Sequence, residues 1–285
     1  MYSILIIAVL VVVYCGIGWT IVSRLDAMKK LSNEERLTLS FFVGGFAVYF
    51  GVFFVAPMRL DVTTMSGLAF VCVLLALPGL KKIPWREIYL SNIRILKLDW
   101  FSNLLWITLF IVAVTTLLQG LAPPNDYDSL MYHLANPLYG VELGRFEIPN
   151  DKRGVQALFP AMTSNLTRFL LVFADGETVQ MAHGLYGLAA AVGAGFLVRR
   201  FGYSIHTALV AVLFFLVIRA VIWQMASAET DVPLAGFLIG SFIVYLTLRE
   251  VPTPGLGILF GLMIGGMIPT KYIGFALALP FGILI

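Results

Sequence analysis

The chain has 285 residues, of which 60% are hydrophobic and only 12% are charged, and its formal net charge is +3. A soluble domain carries roughly 25% charged residues on its water-facing surface, so the composition excludes an ordinary soluble domain. The small net charge also gives no reason to expect nucleic acid as a partner.

Nine apolar segments approach the roughly 20 residues that a membrane-spanning helix needs. The sequence therefore predicts an all-α, polytopic membrane bundle of about nine spans. Only Pro269 and Thr270 separate the last two segments, so these form either a tight hairpin or one broken helix. The nine segments are residues 3–22, 38–57, 62–80, 100–119, 177–198, 204–223, 232–248, 254–269 and 271–285.

Basic residues predict which side of the membrane each loop faces. Twelve lie in the loops of one side and five in the loops of the other. Because cytoplasmic loops are rich in Lys and Arg, we expect a multi-pass protein of the plasma (inner) membrane, with the N-terminus and the long loop 120–176 facing the periplasm or the exterior. The twelve are Arg24, Lys29, Lys30, Arg36, Lys81, Lys82, Arg86, Arg94, Lys97, Arg199, Arg200 and Arg249; the five are Arg59, Arg145, Lys152, Arg153 and Arg168.

The long outer loop contains two further segments with helical patterns. Residues 130–144 place apolar side chains on one stripe, and residues 154–173 are mostly apolar with polar interruptions. We expect both to be amphipathic helices that lie on the outer face of the membrane without crossing it. The stripe consists of Leu130, Leu134, Leu138 and Val141.

The stretch PPNDYDSLMYHL at residues 123–134 concentrates Asp126, Asp128 and His133 directly after the fourth span. A carboxylate at the lipid–water boundary is desolvated, which raises its basicity and suits it to general-base work. The alternative is a solvated turn in which Asp128 caps the following helix and His133 is a buried, hydrogen-bonded side chain. Both interpretations stay open, with these three residues as the candidate catalytic groups.

A second acidic pair, Glu229 and Asp231, lies in the short outer connection before Pro233. Together with Asp128, these carboxylates could share a divalent cation, Mg²⁺ or Mn²⁺, since such hard ions prefer oxygen ligands. The alternative for Asp231 is an N-cap of the next helix.

Two cations complete the candidate outer site. Arg219 lies one turn inside the sixth predicted span, and Lys271 lies between the last two apolar runs. Charged residues at such positions mark function or pairing, and either could neutralise a substrate phosphate. The alternative for Arg219 is a side chain that extends to the lipid headgroups.

In this order, the motifs resemble the GT-C glycosyltransferases, membrane enzymes that use polyprenyl-phosphate sugars and include protein O-mannosyltransferases and aminoarabinose transferases. DYDSLMYHL at residues 126–134 resembles their first outer loop, although many members have an Asp-Glu pair where this chain has Asp128-Ser129. The remaining similar elements are LGRF at 143–146, ALFP at 157–160, VQMAH at 179–183, RRFG at 199–202, ETDVP at 229–233 and TKY at 270–272.

The resemblance implies a core at residues 100–285 and an N-terminal three-span extension at residues 1–99. It implies sugar transfer from a polyprenyl-phosphate donor to an acceptor glycan, lipid or protein, with Asp128 at the position of the catalytic base. Glu229 or Asp231 matches the acid of the second outer loop. Since the chain ends at Ile285 inside an apolar run, we also expect a longer protein.

Two other function classes compete with this interpretation. A transporter or flippase for a lipid-linked or anionic substrate would place polar residues near the bilayer midplane and often contain an internal repeat, whereas this charged set lies at the outer boundary. A non-catalytic membrane scaffold would tolerate the loss of Asp128.

Overall fold

The computed structural model describes residues 2–25, 30–96, 99–149 and 155–284, and every regular element within these ranges is helical. The elements are α1 Tyr2–Val22, α2 Asn33–Val55, α3 Val62–Leu80, α4 Trp85–Leu96, α5 Trp100–Gln119, a π-helical turn Ser129–His133, α6 Ala135–Leu143, a 3₁₀ turn Gln156–Leu158, α7 Met162–Leu171, α8 Gly176–Arg200, α9 Ile205–Val217, α10 Arg219–Met225, α11 Asp231–Glu250, α12 Pro254–Met267 and α13 Ile273–Leu284.

The prediction of a helical membrane bundle is confirmed, but the count of about nine spans is not. Among the described residues, α1, α2, α3, α5, α8 and α11 are long and apolar enough to cross a membrane. The predicted sixth span breaks at Ile218 into α9 and α10, whose axes differ in direction by 69°. If α9 and α10 together count as one span, the described residues contain seven spans. At about 1.5 Å per residue, α12 and α13 are shorter than the roughly 30 Å hydrocarbon core.

The first two helices pack at very short distance. A Cβ atom on Gly18 would overlap the backbone of Ser40, and one on Gly44 would overlap the backbone of Tyr14. Small residues let helix backbones approach each other in membranes, where van der Waals contact drives association. Glycine at these positions therefore fixes α1 against α2.

The predicted N-terminal extension packs directly on the predicted core. The ring of Phe42 in α2 lies 5.8 Å from that of Tyr186 in α8 and 5.2 Å from that of Phe237 in α11. At one end of the same helices, Arg200 donates to both carboxylate oxygens of Glu35 at 2.6 and 3.0 Å. Residues of 1–99 and of 100–285 thus share one buried apolar cluster.

The first helical pattern of the long loop is confirmed as the π-helical turn followed by α6. Its apolar stripe does not face one environment, since Leu134 is buried whereas Leu130 and Leu138 are exposed. The buried face of α6 consists instead of Asn136, Pro137 and Gly140.

The second pattern gives the 3₁₀ turn Gln156–Leu158 and α7, and α7 is buried in the protein, contrary to the expected position on the membrane surface. Eight of its ten residues are buried, because it packs against α2, α6 and α8. Two of its polar interruptions pair with each other inside the protein: Arg168 donates to Asn165 at 2.6 Å and lies 4.5 Å from the ring centre of Phe146. Burial lowers the pKa of Arg168 to about 10. A helix of ten residues is too short to cross the bilayer, as predicted.

The amphipathic helix α4 was not predicted. It lies at the end of the bundle opposite the long loop, where Asn33 of α2 donates to Glu87 at 2.7 Å. Its charged residues recur at helical spacing, which was the available signal. Lys29, Lys97, Lys152 and Arg153, used in the basic count, lie outside the described residues.

Candidate functional site

The π-helical turn Ser129–His133 forms the centre of the candidate site. Asp126 precedes it, and its Oδ2 atom accepts a hydrogen bond from the Ser129 amide at 2.8 Å. Asp128 makes no side-chain capping bond, so the cap role considered for it is wrong and belongs to Asp126. Single π-helical turns occur frequently at functional sites, where the extra residue redirects side chains.

The turn is joined to the connection between α10 and α11. The Ser129 hydroxyl accepts a hydrogen bond from the Ala228 amide at 3.0 Å. One residue later, the Nδ1 atom of His183 lies 2.7 Å from the carbonyl oxygen of Glu229. These buried contacts bring together two segments that the sequence analysis treated separately.

The joined segments place His133 beside Glu229. Their Nε2 and Oε2 atoms are 3.5 Å apart, and the side chains are 11% and 5% exposed. The second carboxylate oxygen of Glu229, Oε1, is buried and has no hydrogen-bond partner among the described residues. Glu229 is therefore an incompletely satisfied buried acid, which functional sites tolerate more often than structural ones.

Tyr132 shares the cluster of acids. Burial and then the carboxylates of Asp128, Glu229 and Asp231 raise the pKa of Tyr132, whose hydroxyl is within hydrogen-bonding reach of Asp128. The ring of Tyr132 also lies 4.2 Å, centre to centre, from that of His133. Three of the predicted site carboxylates thus lie close enough to Tyr132 to affect its pKa, and Tyr132 itself was not singled out from the sequence.

Asp231 and Lys271 form an ion pair at the edge of the cluster. Asp231 Oδ1 contacts Lys271 Nζ, and Oδ2 accepts from Gln224 at 2.7 Å. Asp231 is the first residue of α11, whose start at Thr230 has no side-chain cap, so the predicted cap role of Asp231 is wrong. The pair is about two-fifths exposed, and Lys271 is available to another anion only in competition with Asp231.

Aromatic side chains border the cluster on its exposed side. The rings of Tyr132 and Phe159 are 5.7 Å apart, and those of Phe159 and Tyr272 are 6.0 Å apart. The Tyr272 hydroxyl donates to the Leu158 carbonyl at 2.8 Å, which fixes the last ring in place. The row joins three distant segments of the chain.

Arg219 lies away from these contacts, in a separate cleft of about 440 Å³. It is exposed at the first residue of α10, directly after the break at Ile218. The cleft has both polar and apolar walls, and Ser227 and Asn125 connect it along the chain to the segments that carry Glu229 and Asp126. Its lining is Gln119, Ala122, Pro123, Asn125, Gln180, Val217, Arg219, Ile222, Trp223, Ala226 and Ser227.

The predicted metal ligands do not fit a shared metal ion as they stand. Asp128 lies within reach of Tyr132, Glu229 lies 3.5 Å from His133, and Asp231 contacts Lys271 and Gln224. In the parts of the chain that the structure describes, no three or more His, Cys, Asp or Glu side chains are arranged to hold a metal. The residues of the predicted set do meet at one end of the bundle, but with different partners.

Comparison of the chain with protein-family models, with curated proteins and with solved structures gives no match.

Proposed function

We propose that the protein is a GT-C-type glycosyltransferase that moves a sugar from a polyprenyl-phosphate donor to an acceptor glycan, lipid or protein. The observation that carries the proposal is the convergence of Asp128, His133, Glu229, Asp231 and Lys271 at one end of an apolar bundle. Proton transfer and charge stabilisation at a membrane boundary need such a set. The family resemblance supplies the reaction type.

The roles follow from the contacts. The acceptor must lose a proton as its oxygen attacks the sugar, and Asp128 and His133 are the candidate proton acceptors. Asp126 supports the π-helical turn and acts on the reaction through it. The cleft with Arg219 offers a cation and apolar walls to the phosphate and first prenyl units of the donor, and Lys271 is a second cation at the cluster.

The proposed location is the plasma membrane, with the cluster on the outer face and membrane lipid around the exposed apolar sides of α3 and α5. No nucleic acid is involved. A bound Mg²⁺ or Mn²⁺ would require Asp128, Glu229 and Asp231 to exchange their present partners, and no step of the proposed reaction depends on one.

The test is transfer from a labelled donor. Membranes containing the full-length protein receive polyprenyl-phosphate mannose or polyprenyl-phosphate aminoarabinose with the label in the sugar. We expect label to leave the donor lipid for another lipid, glycan or protein with one of these donors. Membranes without the protein are the control, and equal label in both would contradict the proposal.

A transporter for an anionic or lipid-linked substrate is the second candidate, and the break at Ile218 favours it. Discontinuous helices often form the substrate sites of transporters, and α9 and α10 are bent by 69° at this break beside Arg219. Uptake of the labelled donor into sealed liposomes, with the sugar–phosphate bond intact, distinguishes transport from transfer.

A further inference from the structure

His133 and Glu229 form a pair of side chains in which the histidine is slightly more exposed than the acid. The imidazole is 11% exposed and the carboxylate 5%, with Nε2 and Oε2 3.5 Å apart. A buried carboxylate behind a histidine fixes the tautomer of the ring and stabilises the imidazolium that forms when the ring takes a proton. In the tautomer that carries its hydrogen on Nε2, facing Glu229, Nδ1 carries the accepting lone pair.

The carboxylate is held by its backbone from two sides. His183 contacts the Glu229 carbonyl oxygen at 2.7 Å, and the neighbouring amide of Ala228 donates to Ser129 at 3.0 Å. Ser129 itself begins the π-helical turn that ends at His133. Both members of the pair are therefore fixed by one set of buried contacts, as a preorganised catalytic pair requires.

The other acids of the cluster have different partners. Asp126 accepts from the Ser129 amide and is buried, and Asp128 is within hydrogen-bonding reach of Tyr132. Asp231 is paired with Lys271. Of the two candidate proton acceptors, Asp128 and His133, His133 is the one that lies beside a buried carboxylate, that of Glu229.

We propose that His133 accepts the proton of the acceptor in the proposed sugar transfer and that Glu229 is its positioning residue. This inference rests on the proposed function. A bond forms between the acceptor oxygen and the anomeric carbon while the bond from that carbon to the phosphate oxygen breaks. The phosphate leaves with the electron pair, and the acceptor's proton moves to Nδ1 of His133.

The chain offers a matched control pair. His206 Nε2 lies 2.8 Å from Asp99 Oδ2 at the opposite end of the bundle, with both side chains 37% exposed. Like the proposed pair, the control pair consists of an imidazole and a carboxylate, but it lies outside the cluster. Asp99 also caps α5 by accepting from the Ser102 amide, and Asn preserves that bond.

The experiment measures loss of label from the donor lipid in membranes that contain full-length protein. We expect His133→Ala and Glu229→Gln each to lower the rate by roughly 10²–10⁴-fold. Added imidazole should restore part of the rate of His133→Ala, and Glu229→Asp, which keeps a carboxylate, should be faster than Glu229→Gln. A purely structural role would explain neither result. His206→Ala and Asp99→Asn should stay within about twofold of wild type.

The outcomes separate the two proposals. If wild-type membranes transfer label and His133→Ala stays within about tenfold of them, the pair has no catalytic role. The same holds if the His133→Ala loss is not relieved by imidazole while the variant melts in detergent like wild type. If Asp128→Asn alone shows the large loss, Asp128 is the base. If wild-type membranes transfer no label from either donor, the proposed function fails, and the catalytic role of His133 fails with it.

Discussion

The Ser129 hydroxyl accepts a hydrogen bond from the Ala228 amide across 99 residues of sequence, and both residues are buried. This contact joins the π-helical turn to the connection that carries Glu229. Because the amide of Ala228 points at one side-chain oxygen, the relative position of the two candidate catalytic segments depends on it.

Ser129→Ala should leave that amide unsatisfied and cost about 1–3 kcal/mol of unfolding free energy. We also expect a lower rate of sugar transfer, since Glu229 loses its alignment with His133. Ser227→Ala is the control for the unfolding free energy alone, because the buried Ser227 hydroxyl has no partner among the described residues and its removal should change that free energy little. Thermal unfolding in detergent measures the melting temperatures of the two variants, and equal values would contradict this role of Ser129.

The orientation predicted from the basic residues can be tested with cysteines placed at exposed positions of the two ends. Glu142 is exposed on α6 within the long loop, and Arg86 is exposed on α4 at the opposite end. In intact cells, an impermeant thiol reagent should label Glu142→Cys and leave Arg86→Cys unlabelled. The native Cys15 and Cys72 are buried and give little background. Labelling of Arg86→Cys from outside would reverse the orientation and move the cluster to the cytoplasm.

The Glu35–Arg200 pair should stabilise the contact between α2 and α8. Its side chains are 9% and 14% exposed, and Glu35→Gln would leave the guanidinium without a counter-charge. Removing one member of a buried pair costs about 3–5 kcal/mol, so the melting temperature should fall clearly. Glu147→Gln breaks the more exposed pair with Arg145 and should change the unfolding free energy by less than about 1 kcal/mol. Similar melting of both variants would contradict this difference.

Removal of divalent cations should leave sugar transfer nearly unchanged. In the structure, Asp128, Glu229 and Asp231 have Tyr132, His133 and Lys271 as partners, and these contacts would have to break before the three acids shared an ion. We therefore expect a rate within about twofold after treatment with EDTA. A loss that Mg²⁺ or Mn²⁺ restores would show that the cluster rearranges around a metal, as the sequence pattern suggested.

The sequence by itself determined that the chain is a bundle of apolar helices, because hydrophobicity over about 20 residues is a local property. Alternation of spans and loops was also sufficient to predict that Asp128, Glu229 and Lys271 belong to one end. It did not determine the number of spans, because the backbone break at Ile218 leaves the apolar composition of that segment unchanged.

Tertiary contacts decided the rest. Whether Arg168 lies at the membrane surface or in the interior depends on Asn165 and Phe146, which fill the space around it only after folding. Likewise, the partners of two acids of the candidate site depend on how the helices pack: Glu229 lies beside His133, and Asp231 contacts Lys271. Sequence spacing gives the type of charge at each position, but the packing of α8, α10 and α11 against the π-helical turn determines which charges meet.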